Sequence, residues 1–341
     1  MSVENSDLSL TRPEAGDTER LTEASLRPAT LSDFVGQGDL VAHLEIVLGA
    51  ARGRGQVVDH LLFAGPPGLG KTSLAAIVAH EMGAGLRITS GPVLTRPGDL
   101  AALLTDLAPG DVLFVDEIHR LARSVEEVLY PALEDRRLDV LIGRGPSARS
   151  IRLELPPFTL IGATTRTGLV AAPLRDRFGF VAQLELYESP DLQRIVQRSA
   201  RLLEVDITPE AAATIARRSR GTPRIANRLL RRVRDVAAVR GYGRVDDTAA
   251  CEALEIFGID ELGLDRLDRR ILEALSGPFA GQPVGLTTLA HALGEEPATL
   301  EEAYEPFLMR EGLLLRTPRG RVATERAYRH LGRQVPGGGL V

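Results

Sequence analysis

The chain has 341 residues, a net charge of −5, and an ordinary balance of 44% hydrophobic and 26% charged side chains. That length predicts two or three domains around a sizeable core. The single cysteine, Cys251, excludes an internal disulfide and a cysteine metal cluster, and no apolar run approaches the ~20 residues that span a bilayer.

The opening Met1-Ser2-Val3-Glu4-Asn5 is polar and acidic, unlike a secretory signal, so a cytoplasmic location is expected. Residues 1 to about 20 lack periodicity and are expected to be disordered. After Leu26-Arg27-Pro28, apolar residues at helical spacing (Leu40, Val41, Leu44, Val47, Leu48) predict a helix over 39–51.

From His60 the chain alternates: strand 60–64, helix 71–83, strand 86–90, helix 98–107, strand 111–116, helix 124–135. Short apolar strands between helices predict an α/β fold with a parallel sheet covered on both faces. Between the first strand and helix lies Gly65-Pro66-Pro67-Gly68-Leu69-Gly70-Lys71-Thr72, a full match to G-x-x-x-x-G-K-[ST]. Glycines there let successive backbone N–H groups converge on phosphate, and the following helix adds its dipole. Gly68, Gly70, Lys71, Thr72 and Ser73 are the expected nucleotide contacts, with Lys71 on the β- and γ-phosphates and Thr72 on Mg²⁺. Of 41 basic side chains only Lys71 is a lysine. A chain so biased toward arginine keeps lysine where a compact ammonium is required.

Leu113-Phe114-Val115-Asp116-Glu117 is an apolar strand ending in two acids. Such a strand brings them to the carboxyl edge of the sheet, beside the phosphate loop. Asp116 suits a Mg²⁺ role, and Glu117 suits polarising a water for attack on the γ-phosphate. Residues 138–155 read as a hairpin inserted in the α/β unit. Val140, Leu141 and Ile142 run consecutively, so one apolar face is left over for docking a protein. Phe158 to Thr165 is a further buried strand whose end carries a hydroxyl for orienting the attacking water. Thr164 is the first choice, with Thr165 the alternative. The short helix at Pro173–Phe178 carries Arg175 and Arg177, one of which is expected to reach a neighbouring subunit's γ-phosphate.

Beyond Ser189 helices near 190–203, 209–219, 223–240 and 246–256 predict a small all-helical domain. Arg224 stands in the first turn of one of them, where a cation calls for an anionic partner such as phosphate. Three more helices (267–275, 287–293, 298–311) and a two-strand turn at 313–324 predict a C-terminal winged helix, a DNA-binding module. Its third helix carries Glu301, Glu302, Glu305 and Glu311, which would repel phosphates. Seven arginines lie between Arg310 and Arg333 against two acids. Arg316, Arg319 and Arg321 sit on the wing and are expected to contact phosphates without reading sequence. The tail Pro336-Gly337-Gly338-Gly339 is expected to be flexible. The predicted domains are 1–189, 190–261 and 262–341.

With these stretches in view the chain resembles the AAA+ ATPases, and among them the ring motors that move Holliday junctions. The likeness rests on Gly65–Thr72, Asp116-Glu117-Ile118-His119-Arg120-Leu121, Leu174-Arg175-Asp176-Arg177-Phe178-Gly179, Gly221-Thr222-Pro223-Arg224-Ile225-Ala226 and Arg316-Thr317-Pro318-Arg319-Gly320-Arg321. The resemblance implies a homohexameric ATP hydrolase acting on double-stranded DNA in recombination and repair, with RuvA docked on the 138–155 hairpin and RuvC resolvase as a further partner. It implies adenine contacts from Leu26, Arg27 and Tyr187, and γ-phosphate sensing by Arg224. It favours Arg177 over Arg175 as the finger. Glu134, Asp135 and Arg136 fall where the family makes further nucleotide contacts, although an aromatic residue is expected at 136.

Overall fold

A computed structural model describes residues 25–142 and 149–336. The expectations for residues 1–20, for the hairpin tip at 143–148, for the side chains of Val140, Leu141 and Ile142, and for the tail past 336 fall outside the described residues. The chain divides into two compact units, one up to Asp191 and the other from Leu192 onward.

In the first unit, α1 (Gly38–Arg54) precedes β1 (Leu61–Ala64), α2 (Lys71–Glu81), β2 (Leu86–Ser90), α3 (Pro97–Thr105), β3 (Val112–Asp116) and α4 (Arg123–Glu134). After the hairpin β4 (Arg137–Ile142) and β5 (Arg149–Glu154) come β6 (Thr159–Thr164), the one-turn α5 (Ala172–Arg175) and β7 (Phe180–Gln183). Five strands form one parallel sheet in the order β2-β3-β6-β1-β7. Residues of β1 and β6 are buried throughout, as continuous apolar runs in a doubly covered parallel sheet must be. Leu62, Leu113, Val115, Leu160 and Leu174 belong to one apolar cluster that ties the sheet to α3 and α4. Because β6 lies between β3 and β1, its end falls between the acids of β3 and the loop after β1. The hairpin pairs antiparallel with Leu138 opposite Leu153.

In the second unit, α6 (Ser189–Leu202), α7 (Pro209–Arg217), α8 (Pro223–Arg240) and α9 (Asp247–Ile256) form the helical part. The winged helix follows with α10 (Arg266–Ser276), α11 (Leu286–Leu293) and a third helix. That third helix is not the continuous element expected. Its start, Pro297–Thr299, passes through a π turn at Leu300–Tyr304 into Glu305–Arg310. Pro306 has no N–H to donate and crowds the carbonyl four residues back, so the ladder widens there. The wing is β8 (Leu314–Thr317) against β9 (Gly320–Ala323), with Arg316 directly opposite Arg321. A closing helix, Glu325–His330, was not expected from sequence.

The helical part and the winged helix share a buried joint. Arg220 (φ +55°) donates from Nε to the Gly263 carbonyl at 2.9 Å and pairs with Asp268, which is fully buried. Its guanidinium stacks on the Phe307 ring at 4.2 Å. Among the described residues no helix is long and apolar enough to cross a membrane.

Candidate functional site

The phosphate loop starts at Gly65, with φ +137°. A Cβ there would stand 2.5 Å from the Leu184 carbonyl oxygen, so only glycine fits. Gly70 (φ +103°) caps α2, whose N-terminus opens on the loop. Lys71 is only 7% exposed, and its Nζ donates to the carbonyls of Gly65 at 2.8 Å and Pro66 at 2.9 Å. Three donors on one flexible stem allow those bonds to be exchanged for phosphate oxygens without moving the backbone. Thr72 follows half-buried, and Ser73 is buried.

Beside the loop the buried Tyr187 hydroxyl donates to the Leu69 carbonyl at 3.2 Å. Burial raises the pKa of this phenol and keeps it protonated. Gly36 is pressed against the Tyr187 ring, where a Cβ would come within 2.8 Å, and Phe34 lies against Gly70. Leu26 is buried and Arg27 half-buried in the same unit. Sequence reading missed the Phe34 contact, because nothing in Leu31–Gln37 signals packing on a loop over thirty residues away.

At the end of β3, Asp116 Oδ1 accepts from the Glu117 N–H at 2.9 Å. Glu117 adopts a left-handed conformation (φ +48°) and starts a 3₁₀ turn, Ile118–Arg120. The hydroxyls of Thr164, at the end of β6, and Thr165, just past it, separate here. Thr164 is fully buried, bonded to His119 Nδ1 at 2.9 Å and accepting from the Arg166 N–H at 3.0 Å. Thr165, half-buried, directs its hydroxyl to Glu117 Oε2 at 3.4 Å. The hydroxyl that faces the acid is therefore that of Thr165, not the first choice, Thr164. Thr164 is the last residue of β6 and is held inward by His119 and the Arg166 N–H, whereas Thr165 lies just past the strand, where its hydroxyl reaches the acid.

Thr72 and Asp116 supply a hydroxyl and a carboxylate, the kind of hard oxygen donors that suit Mg²⁺. Among the described residues no cluster of three or more His, Cys, Asp or Glu side chains could hold a metal by itself.

Arg177 lies at the other end of the sheet, just before β7. It lines a cleft of about 530 Å³ with Asp59, His60, Glu134, Asp135 and Arg136. Its Nη2 meets Glu134 Oε1 at 2.8 Å, its Nη1 donates to the Pro173 carbonyl, and its guanidinium lies 4.7 Å over the Tyr130 ring. The buried Nε has no hydrogen-bond partner. Arg136 takes a left-handed conformation (φ +53°) and is exposed, leaving an open, cationic rim where an aromatic residue was expected. Burial lowers the pKa of His60, so the ring is neutral; its Nδ1 accepts from the Leu160 N–H at 2.9 Å.

Arg224 stands half-buried in the first turn of α8, in the second unit. On the wing, Arg316 and Arg319 are exposed but Arg321 is not. Arg321 is buried and held bidentate by Glu305, Nε to Oε1 at 2.6 Å and Nη2 to Oε2 at 3.1 Å. The expectation that Arg321 meets phosphate is corrected: its β9 position faces the third helix, and its charge is neutralised there. The acids expected to repel DNA are engaged in the same way. Glu305 is buried, and Glu301 Oε1 takes Arg316 at 2.8 Å.

A parallel sheet ordered β2-β3-β6-β1-β7, a lysine-closed phosphate loop after β1, an acid pair after β3 and a helical unit after the sheet define a P-loop ATPase of the AAA+ class. Family models match along nearly the whole chain: the Holliday junction DNA helicase RuvB P-loop domain over 26–184, the RuvB AAA lid domain over 187–260 and the RuvB C-terminal winged helix domain over 261–332. The chain belongs to the RuvB family. It is 61% identical to the Holliday junction branch migration complex subunit RuvB of Nocardioides sp., over 96% of this chain and 91% of that one. To the same subunit of Corynebacterium jeikeium it is 58% identical, over 98% and 94%. The solved Thermotoga maritima RuvB, described as a Holliday junction branch migration motor, superposes with a TM-score of 0.81 at 49% identity, covering 92% of this chain and all of that one.

Proposed function

We propose that this chain is the ATP-driven motor of Holliday junction branch migration in recombination and repair, working in the cytoplasm as a ring of six copies. Residues 1–189 form the engine, 190–261 the lid, and 262–341 the DNA-holding head. ATP lies on Gly68, Gly70, Lys71, Thr72 and Ser73, with adenine against Leu26, Arg27 and Tyr187. Thr72 and Asp116 hold Mg²⁺, which would supply charge neutralisation on the phosphates. Glu117 polarises the attacking water and Thr165 orients it, the assignment favoured by its contact with Glu117. Arg224 senses the γ-phosphate from the lid. Arg316 and Arg319 hold the duplex backbone. RuvA docks on the 138–155 hairpin, and RuvC acts on the same junction.

One observation carries the ring. Arg177, with an orphaned buried Nε, lies at the amino edge of a sheet whose phosphate loop is at the carboxyl edge. The four residues of β1 alone separate these edges by roughly 13 Å. Arg177 therefore serves the ATP of a second copy, together with Glu134, Asp135 and Arg136 on the same cleft.

The test is branch migration of a synthetic four-way junction with ATP, Mg²⁺ and RuvA added or withheld. Strand exchange should require ATP, strengthen with RuvA, and fall in Arg316→Ala/Arg319→Ala. ATP turnover with no junction movement under any of these conditions would leave the ATPase standing and remove the motor.

A further inference from the structure

His119 is not among the residues that contact nucleotide in the reading above, yet both of its ring nitrogens are engaged at the catalytic edge. Nδ1 lies 2.9 Å from Thr164 Oγ1, and Nε2 lies 3.4 Å from Glu117 Oε2. The left-handed conformation of Glu117 makes this possible. It folds the chain into a 3₁₀ turn, closed by the Arg120 N–H on the Glu117 carbonyl at 2.9 Å, which brings a side chain two positions on back to the acid. The turn packs closely on Gly91, where a Cβ would stand 2.4 Å from the Glu117 carbonyl oxygen.

The hydrogen bonds also fix which nitrogen carries the proton. Thr164 Oγ1 already accepts from the Arg166 N–H at 3.0 Å. An ionised carboxylate can only accept, so the Nε2 that lies beside Glu117 Oε2 is the nitrogen that carries the ring proton, and Nδ1 is left to accept from the Thr164 hydroxyl. The ring, 8% exposed, then carries its proton on Nε2, 3.4 Å from the carboxylate of Glu117. Thr165 addresses the same oxygen, Oε2. Both contacts fall on one carboxylate oxygen, which leaves Oε1 to take a water. A chain of three groups, Thr164 to His119 to Glu117, so connects the buried end of β6 with the acid at the end of β3.

We propose that His119 is the positioning residue for Glu117: its Nε2–H fixes the carboxylate rotamer, and the Thr164 hydroxyl holds the His119 ring through Nδ1. The proposal rests on Glu117 being the base that polarises water. It assigns Thr164 a supporting role behind the acid, distinct from the hydroxyl of Thr165 that faces it. A carboxylate without this tether rotates about its own torsions, and water activation depends on its direction; ATP binding, made by the loop and Lys71, does not.

The experiment compares steady-state ATP hydrolysis and ATP binding in the full-length chain for His119→Phe, His119→Gln, Thr164→Val and Glu117→Gln. His119→Phe fills the space without either nitrogen, and should lower kcat by about 10- to 100-fold, the usual range for loss of a group that orients a reactive ligand, with KM for ATP within about twofold. His119→Gln offers an N–H and a carbonyl along a similar path, and should recover most of that loss. Thr164→Val should lower kcat as well, and combined with His119→Phe should add little, because both remove the same tether. Glu117→Gln is the control for the underlying reading: full turnover in that variant would overturn Glu117 as the base. With Glu117→Gln inactive, an unchanged kcat in His119→Phe, no recovery in His119→Gln, or fully additive losses would each overturn the positioning role. Were His119→Phe to fail to fold, the Gln and Thr164→Val variants carry the same decision.

Discussion

Removing Arg321 should damage the fold of the winged helix and leave its DNA contacts nearly unchanged in kind. Arg321 occupies the centre of a small lattice: its backbone pairs with Val284 in both directions, at 2.7 and 2.9 Å, and its side chain is held bidentate by Glu305. Side-chain exposure is 9% for the arginine and 3% for the acid. Arg321→Ala strands a buried carboxylate, and breaking such a pair from one side costs about 3–5 kcal/mol. For a domain the size of residues 261–332 each kcal/mol is worth roughly 4–8 °C, so unfolding should begin more than ~10 °C earlier. Arg316 gives the contrast. It is half exposed, its ion pair with Glu301 is worth ~0–1 kcal/mol, and Arg316→Ala should melt almost normally. That variant should instead flatten the dependence of log K on log salt by about one, the loss of one phosphate contact. The assays are circular-dichroism melting and duplex binding across a salt series. Replacing both partners, Glu305→Leu with Arg321→Met, should restore most of the stability, because the desolvated charges leave together. An Arg321→Ala chain that melts within a few degrees of the parent but loses a full unit of salt slope would refute this account and return Arg321 to the DNA surface.

Two further outcomes test the rest of the chain. Mixing Arg177→Ala subunits with Lys71→Ala subunits should regain ATPase activity absent from either alone, since an intact loop meets an intact finger only between unlike copies; no regain at any ratio would defeat a finger acting in trans. The buried joint predicts a pH effect. Burial, with Asp265 nearby, pushes the Asp268 pKa up to about 7, whereas an unfolded aspartate titrates near 3.8. Folding therefore takes up a proton between those values, so stability should fall as pH rises through this window and level off above about 7. Asp268→Asn, which cannot ionise, should flatten that trend in melting experiments from pH 5 to 8; an equally steep trend in the variant would place its source elsewhere.

The phosphate loop and the parallel sheet were legible in the sequence because their logic is local. A phosphate loop needs fixed spacing between glycines and lysine, and parallel strands buried on both faces read as short apolar runs ending at the residues they deliver. What escaped was decided by contacts across the chain. β7 (Phe180–Gln183) is an edge strand with Val181 exposed, its apolar run only the three residues Phe180-Val181-Ala182, and its pairing with β1 is what identifies it. The choice between Thr164 and Thr165 depended on which way the end of β6 faces, a one-residue question that hydrophobicity does not answer. Charge counting misread the C-terminal arginines for the same reason. Arg310 and Arg326 meet Glu311, Arg329 meets Glu325, and Arg333 bonds the Glu273 carbonyl. Of the seven arginines counted between 310 and 333, Arg319 alone among the described residues has a guanidinium with neither an acid nor a carbonyl partner.

That redistribution of charge bears on how the winged helix can hold DNA. A recognition helix reads base edges with outward polar side chains such as Arg, Asn or Gln. Here the third helix turns Glu305 inward to clamp β9 and extends Glu301 to two of the three wing arginines, 2.8 Å from Arg316 and 3.8 Å from Arg321. The helix thus acts as a strut that stiffens the wing. In the proposed function the DNA contacts would fall to Arg319 at the tip and Arg316, whose partner is a half-exposed acid that a phosphate can replace at little cost. Two cations on a rigid hairpin grip a phosphate backbone with equal strength at every base pair. A motor that must step along arbitrary sequence needs that uniformity; in the proposed function Arg321, buried and held by Glu305, would serve it by tying the wing to the third helix rather than by meeting phosphate.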